Sequence, residues 1–162
     1  ERGISENEAR NLDVLEVVLG HAADDKTLVL CTRVAHAEAL HAAALSRGVP
    51  NAYALNGGDP KDLRRDVIAA FRAHAAGSTL FATPFFREGV DVPEINAFVQ
   101  AGAGLSDVAT TQAVGRELRP KPGRNQVDVY DWADGRGGNK DYLGTHWAAR
   151  LAVYERLGFR IA

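Results

Sequence analysis

Short apolar runs alternate with longer amphipathic segments along most of the chain. Residues 27–31 form a continuous apolar run, the pattern expected of a strand that is buried on both faces. Further strands are predicted at residues 52–55, 79–82, 97–100 and 127–131. Because helical segments separate these runs, the pattern predicts an α/β fold with a mainly parallel sheet between layers of helices.

The first helix is predicted from a capping pattern and an apolar stripe. Ser5-Glu-Asn-Glu8 resembles a capping box, in which the side chains at each end satisfy backbone N–H groups of the first turn. Apolar residues then recur at helical spacing until Gly20, and they are Leu12, Leu15, Val18 and Leu19. We expect this helix to bury that stripe.

Four further helices are predicted downstream. They cover residues 34–46, a segment from Pro60 to near Gly77, residues 106–119 and residues 143–157. The second of these has Asp59 as a candidate N-cap and proline at its first position. Its buried stripe is predicted to be Leu63, Val67, Ile68 and Phe71, and that of the last helix Trp147, Leu151, Tyr154 and Leu157.

Composition restricts the classes of function. The chain has 162 residues and a net charge of −2, which argues against a wholly basic nucleic-acid coat but leaves room for a local basic patch. The single cysteine, Cys31, excludes an intramolecular disulfide. Neither a signal peptide nor a membrane-spanning apolar stretch occurs, so we expect no membrane and a cytoplasmic setting. The chain lacks methionine and begins at Glu1, so we expect an excerpt from a longer polypeptide.

Two arginines three residues apart form the sharpest chemical feature. Arg116 and Arg119 lie on one face of a predicted helix, where both guanidinium groups can point at one polyanion. Gln112 lies one turn earlier and can both donate and accept hydrogen bonds, while Gly115 permits close backbone approach. A solvated basic helix face remains the alternative.

A second candidate site lies upstream, in residues 83–93. Gly89 offers a bare backbone, and Asp91 offers a carboxylate that can hold a ribose hydroxyl. Thr83, at a strand end, could bind a phosphate or cap the next turn. An ordinary loop is the alternative for the whole segment.

Three motifs in order resemble those of superfamily 2 helicases and translocases. Residues 27–33 resemble motif IV, and residues 83–93 resemble motif V, whose common form is Thr, four variable residues and Glu-Gly-Val-Asp-Ile-Pro. Residues 112–119 match the motif VI pattern Gln-x-x-Gly-Arg-x-x-Arg at all four fixed positions. The tail, residues 144–159, resembles that of phage UvsW-type DNA helicases.

The resemblance implies a fold and a domain organisation. Residues 1–133 would form a three-layer, RecA-like (P-loop NTPase-like) domain, the second of the two in such motors. Residues 134–162 would add a glycine-rich connector and a C-terminal helix docked on the same domain. The setting would be a bacterial or phage-infected cell.

The resemblance also implies roles for individual residues. Arg119 would be the arginine finger, Arg116 its companion on the γ-phosphate, and Gln112 the link between nucleotide and interdomain cleft. The nucleotide-binding residues would be Gly89, Asp91 and Gly115. The track for one nucleic-acid strand would be formed by Thr32, Arg33, Gly57 and Thr83. Pro84 departs from the motif and removes a backbone donor, which weakens the role of Thr83.

The implied ligands depend on a second domain. The chain contains neither the Gly-x-x-x-x-Gly-Lys-[Ser/Thr] phosphate loop nor Asp-Glu-x-His. ATP and Mg²⁺ would be held mainly by an N-terminal RecA-like domain of the same parent chain, and we expect negligible ATPase activity from this chain alone. DNA, as a single strand or branched duplex, would be the substrate. A non-catalytic nucleic-acid or protein binding module, the translocating part of a restriction system and an RNA helicase remain alternatives.

Several other residues carry structural expectations only. The five histidines are expected at the surface, and Cys31 is expected to be a small buried hydrophobe. Trp132 and Trp147 are expected to pack in the core or to clamp the terminal helix rather than stack on bases. Asp131 is expected to be a local cap or turn residue.

Overall fold

The computed structural model describes residues 6–75, 77–84, 94–102, 127–133 and 142–159. The elements in these ranges are α1 (Glu8–His21), β1 (Lys26–Leu30), α2 (Val34–Ser46), β2 (Ala52–Leu55), α3 (Lys61–Ala73), β3 (Ser78–Ala82), β4 (Ala97–Gln100), β5 (Asp128–Tyr130) and α4 (Tyr142–Leu157). The strands form one five-stranded sheet in the order β2-β3-β1-β4-β5, and every pairing is parallel. The predicted α/β fold is therefore confirmed.

Strand β1 lies at the centre of the sheet and supplies both halves of the core. Leu28 and Leu30 lie in an apolar cluster with Ile68 and Phe71 of α3. Val29 and Cys31 lie in a second cluster, with residues of α1 and α2. Because successive side chains of a strand point to opposite faces, one apolar run fills the interior on both sides of the sheet. This confirms that Cys31 is a buried hydrophobe.

The N-terminus of α1 differs from the prediction. The helix begins at Glu8, and its cap is Asn7, whose Oδ1 accepts a hydrogen bond from the backbone N–H of Arg10 at 3.2 Å. The expected capping residue, Ser5, lies outside the described residues. Asn is among the strongest N-cap residues, so a cap two residues later still satisfies the first turn.

The buried stripes of α1 and α3 each include a residue that the apolar pattern missed. Leu12 is 47% exposed, whereas Arg10, on the same stripe as Val14 and Val18, is 5% exposed. In α3, Leu63 is likewise 47% exposed and Arg64 is buried at 8%. An arginine has a long aliphatic stem that packs as a hydrocarbon while its head makes polar contacts, so a rule that counts only apolar residues excludes it.

The first turn of α3 also differs. The helix begins at Lys61, and Pro60 occupies the N-cap position without a side-chain hydrogen bond. Asp59 was expected to cap this helix, but its Oδ2 accepts the backbone N–H of Asn56 at 2.7 Å. Aspartate commonly stabilises a turn through such contacts, and here that competes with capping.

Helix α4 is held to the end of β5 by a buried ion pair. Arg150 Nε donates to Asp131 Oδ2 at 2.7 Å and Arg150 Nη2 to Asp131 Oδ1 at 3.0 Å. The two side chains are 0% and 3% exposed. Tyr154 Oη adds a hydrogen bond of 2.9 Å to Oδ2. Asp131 does accept the backbone N–H of Trp132, but the expectation of a purely local role was wrong.

Burial and pairing act on Asp131 in opposite directions. Burial raises the pKa of its carboxyl, and the hydrogen bonds and charge of Arg150, together with the Tyr154 hydroxyl, oppose that rise. The guanidinium of Arg150 also lies 5.9 Å from the ring centroid of Trp147. Because Trp147 and Arg150 both belong to α4, this contact lies within the helix, and the clamping role of Trp147 stays a prediction. His146, expected at the surface, is only 2% exposed.

Breaking the ion pair should destabilise the fold strongly. We expect Asp131→Asn to lower the free energy of unfolding by about 3–5 kcal/mol, because it leaves the guanidinium of Arg150 buried beside a neutral group. Urea denaturation measures this. Arg65→Ala is the control: Arg65 is 70% exposed in its pairs with Asp62 and Asp66, so its loss should cost less than about 1 kcal/mol. Equal losses in both variants would contradict the assignment.

Candidate functional site

The predicted nucleic-acid residues lie at the carboxyl ends of three neighbouring strands. Gly57 follows β2, Thr83 follows β3, and Thr32 and Arg33 follow β1. These strands are consecutive in the sheet. Parallel strands end at the same edge, so all four residues line one continuous edge, which we call the rim. Ligands of open α/β sheets bind beyond this edge.

The four residues differ in exposure. Arg33 and Gly57 are exposed and Thr32 is half-buried, whereas Thr83 is 8% exposed. The backbone N–H of Thr83 donates to Leu55 O at 3.2 Å. Arg33 and Gly57 therefore present the most surface to a bound strand, and Thr83 the least.

The N-terminus of helix α2 lies at the rim and is suited to bind an anion. Its N-cap is Arg33, which makes no side-chain capping hydrogen bond, and its first turn has no acidic residue. The N-terminus of a helix carries a partial positive charge, and its N–H groups can donate hydrogen bonds to phosphate oxygens. An arginine at this position adds a full positive charge to that end of the helix.

The turn that carries Gly57 is fixed by its own side chains. Asn56 Oδ1 accepts the N–H of Gly58 at 2.8 Å, and Asn56 Nδ2 donates to Asp59 Oδ1 at 3.2 Å. A Cβ at Gly58 would lie 3.1 Å from Asn56 Oδ1. With both carboxylate oxygens engaged by Asn56, Asp59 is held within the turn next to the exposed Gly57.

The end of β4 adjoins this rim and is held by Arg10. The Nη2 group of Arg10 donates to Ala101 O at 3.2 Å and lies 3.5 Å from both Gln100 O and Gly102 O. Its guanidinium carbon is 5.1 Å from the ring centroid of Trp132, which follows β5. One side chain of α1 thus bridges the carboxyl ends of β4 and β5.

A buried histidine lies between α1 and α2. His36 is 4% exposed, so the expectation of a surface residue was wrong. Its Nε2 donates to Asn11 Oδ1 at 2.9 Å. Burial first, and the positive charge of Arg10 second, lower the pKa of His36 from 6.5 to about 4. The imidazole is therefore neutral at physiological pH and serves as a hydrogen-bonded link between the helices.

The remaining predicted site residues lie outside the described residues. They are the catalytic candidates Gln112, Arg116 and Arg119 and the nucleotide-binding candidates Gly89, Asp91 and Gly115. Their roles stay predictions. In sequence, the segment that contains Gln112, Arg116 and Arg119 lies between Gly102, just after β4, and Val127, just before β5.

Arg10 and His36 were missed by sequence reasoning. The spacing of Arg10 to Val14 and Val18 is helical, and that periodicity was the available signal. His36 stands in the first turn of α2 among alanines, and nothing in the sequence around it marks a buried partner on another helix.

The described residues contain neither a metal-binding cluster nor a membrane-spanning helix. No group of three or more histidine, cysteine, aspartate or glutamate side chains is arranged to hold a metal ion there. In that same part of the chain, no helix combines the length and apolarity that crossing a membrane requires.

Comparisons with known proteins converge on one family. The family model described as "Helicase conserved C-terminal domain" matches residues 10–121. The solved structure titled "The crystal structure of T4 UvsW" is similar with a TM-score of 0.74 at 20% identity, over 98% of this chain and 34% of that one. The chain thus spans about a third of that protein. No curated protein sequence matches.

Two further solved structures share the fold. The C-terminal domain of the DEAD-box protein Dbp5 is similar with a TM-score of 0.68 at 21% identity, over 94% of this chain and 81% of that one. "Mss116p DEAD-box helicase domain 2 bound to an RNA duplex" is similar with a TM-score of 0.56 at 15% identity, over 80% of this chain and 49% of that one. At these identities the similarity establishes the fold.

The neutral His36 should make stability depend on pH. Between pH 6.5 and about 4 the unfolded chain binds a proton on this imidazole and the native chain does not, so the free energy of unfolding should fall as the pH falls through that window. Urea denaturation across this range measures the slope. His36→Gln, which can still donate to Asn11, should reduce it. An unchanged slope in the variant would contradict the lowered pKa.

Proposed function

Because the chain belongs to the family of helicase conserved C-terminal domains, the second RecA-like domain of superfamily 2 helicases, we propose that it is the C-terminal motor domain of an ATP-dependent DNA helicase or translocase. In this role it binds one nucleic-acid strand along the rim and supplies the arginine finger to ATP. The nucleotide itself is held mainly by an N-terminal RecA-like domain of the parent chain.

The strand order is the observation that carries this proposal. The residues proposed to contact nucleic acid follow β2, β3 and β1, and the next strand, β4, leads directly into the segment that contains Arg116 and Arg119. The proposed nucleic-acid site and the proposed nucleotide site are thus both connected to neighbouring strands, so one movement of the domain can affect both. A motor needs such coupling, because ATP hydrolysis must change the affinity of the domain for the nucleic-acid strand.

In this proposal the domain binds nucleic acid through contacts with its phosphates. Arg33 offers a fork that matches phosphate geometry, and the N-terminus of α2 offers N–H groups beside it. The exposed Gly57 lets a sugar-phosphate backbone approach the turn after β2 closely. Contacts of this kind position a strand without reading its sequence, which suits an enzyme that moves along many sequences.

The proposed arginines act on the nucleotide at the interface between two domains. In phosphoryl transfer, negative charge spreads over the γ-phosphate oxygens, and an inserted arginine contributes roughly 10³–10⁵ in rate. In this proposal Arg119 takes that role and Arg116 is its companion on the γ-phosphate. Gln112 links the nucleotide to the interdomain cleft, and Gly89, Asp91 and Gly115 bind the nucleotide. Because the sequence lacks the phosphate loop and the Asp-Glu-x-His motif, we place Mg²⁺ mainly with the N-terminal domain.

RNA is the second candidate substrate. Two of the similar structures are DEAD-box proteins, and one of them is titled as bound to an RNA duplex. A rim that contacts phosphates serves either nucleic acid. DNA is proposed first because the tail of the chain resembles that of UvsW-type DNA helicases and the T4 UvsW structure covers nearly all of the chain.

Removing the guanidinium at the rim should weaken binding to a single strand. We expect Arg33→Ala to raise the Kd for a fluorescently labelled oligonucleotide and to reduce the slope of log K against log salt by about 0.7, the value for one lost phosphate contact. Fluorescence anisotropy over a salt series measures both. Arg47→Ala is the matched control, since Arg47 lies at the other end of α2 and is also exposed.

The two variants distinguish binding at the rim from nonspecific attraction of nucleic acid to any exposed positive charge. Equal weakening by Arg33→Ala and Arg47→Ala, or no weakening by Arg33→Ala, would contradict binding at the rim. The same titration with DNA and RNA of one sequence tests the substrate. A requirement for the 2′-hydroxyl would favour the RNA helicase over the DNA enzyme.

A further inference from the structure

The turn after β2 contains a chemically labile pair, Asn56-Gly57. The side-chain amide of an asparagine is open to attack by the backbone nitrogen of the next residue. Glycine at that next position favours the attack, because it has no side chain to obstruct the approach and its backbone adopts more conformations. Asn56 is the only asparagine in the sequence that is followed by glycine. Gly57 and Gly58 are exposed and Asn56 is half-buried, so the turn is in contact with water.

The reaction needs only water as a co-reactant. The nitrogen of Gly57 forms a bond to Cγ of Asn56, and the bond between Cγ and Nδ2 breaks. The leaving nitrogen takes up the proton that Gly57 loses and departs as ammonia. Water then opens the resulting succinimide at one of its carbonyls, which gives aspartate or isoaspartate at position 56. Either product carries a carboxylate where the protein had a neutral amide.

Hydrogen bonds from Asp59 and Gly58 hold this amide in one orientation. Nδ2 of Asn56 donates to Asp59 Oδ1 at 3.2 Å, and Oδ1 of Asn56 accepts the backbone N–H of Gly58 at 2.8 Å. The second carboxylate oxygen of Asp59 accepts the backbone N–H of Asn56 at 2.7 Å. A nucleophile approaches an amide from above its plane, so ring closure has to rotate this plane and break the hydrogen bonds that hold it.

We propose that Asn56 is a site of spontaneous deamidation and that Asp59 sets its rate by holding the amide. One carboxylate binds both the backbone and the side chain of the reactive residue, so the native turn slows the reaction. Its charge acts in the same direction, because it opposes the negative charge that develops on the nitrogen of Gly57 as the proton leaves. Without this carboxylate, the amide of Asn56 rotates next to an exposed glycine.

Deamidation changes the turn as well as its charge. In the aspartate product, a carboxylate oxygen replaces Nδ2 and faces Asp59 Oδ1 across the present distance of 3.2 Å. Two negative groups repel each other at this distance, and no donor remains between them, so the turn opens. The new charge lies beside Gly57 at the rim, where it repels a phosphate. This effect on binding rests on the proposed function, whereas the chemistry at Asn56 does not.

Peptide mapping by mass spectrometry measures the reaction in the folded protein. During incubation at mildly alkaline pH, aspartate and isoaspartate at position 56 should accumulate more slowly in the protein than in a synthetic peptide of residues 52–62. Since a hydrogen bond to a charged group shifts an equilibrium on the order of tenfold or more, Asp59→Ala should raise the rate constant by at least about tenfold. Asp62→Ala is the matched control and should not change the rate, because Asp62 is 84% exposed and pairs with Arg65.

A second variant keeps the test independent of unfolding. Asp59→Asn retains one acceptor for Asn56 and should give an intermediate rate, and its new amide is stable to this reaction because Pro60 has no N–H. Equal rates in the wild type and both Asp59 variants would overturn the proposal, as would the same acceleration in Asp62→Ala. Loss of the amide of Asn51, which precedes alanine, in parallel with that of Asn56 would indicate unfolding and contradict protection by Asp59.

The consequence for the rim is measured separately. Asn56→Asp reproduces one product and should raise the Kd for the labelled oligonucleotide severalfold. Unchanged affinity in Asn56→Asp together with weaker binding by Arg33→Ala would contradict the effect of this charge and leave the proposed function in place. If Arg33→Ala also bound normally, the proposed rim site would fail, while peptide mapping would still decide whether Asp59 protects Asn56.

Discussion

The parallel pairing of β1 with both β3 and β4 is the constraint on which the rest of the structure depends. Leu30 pairs with Ala82 on one side and Gln100 on the other, so the three strands end at one level. Their side chains fill the interior on both faces of the sheet, and a one-residue shift of register would turn the side chains of a strand to the opposite core cluster. The same pairing brings loops that are far apart in sequence together at one edge of the sheet.

Two buried arginines then attach the outer elements to that sheet. Arg150 joins α4 to the end of β5 through a carboxylate, and Arg10 joins α1 to the end of β4 through carbonyls. Trp132 lies against Arg10, and its carbonyl is 3.4 Å from Arg150 Nη2. The carboxyl ends of β4 and β5 are thus both held by buried polar side chains, next to an edge proposed to bind phosphates.

The apolar pattern was enough to predict the strands, because strands buried on both faces leave continuous apolar runs. Residues 52–55 and 97–100 and the helix over 34–46 match their predicted bounds. The other described elements shift by one or two residues at their ends, except that α3 ends at Ala73, four residues before Gly77. The helix predicted at 106–119 lies outside the described residues. The missed burial of Arg10, Arg64 and Asp131 has one cause, which is that an apolar pattern does not count charged side chains. Asp131 was expected to be a turn residue because its partner, Arg150, lies 19 residues away, and no local pattern reveals that pairing.

The candidate site, too, was predictable from the sequence only in part. The apolar runs predicted that Thr32, Arg33, Gly57 and Thr83 follow strands, and the structure places them there. Their role in binding stays a prediction. Their unequal exposure was not predictable, because it depends on which neighbouring loops cover them. Arg10 lies in no motif, and its role depends on contacts with residues about ninety positions away in sequence.

The most direct measurement of the central claim is ATP binding and hydrolysis by the two-domain protein carrying Arg119→Ala. The account predicts that the variant binds ATP with nearly unchanged affinity and loses nucleic-acid-stimulated turnover by roughly 10³-fold or more. Turnover equal to that of the wild type would contradict the assignment of this domain as the source of the arginine finger.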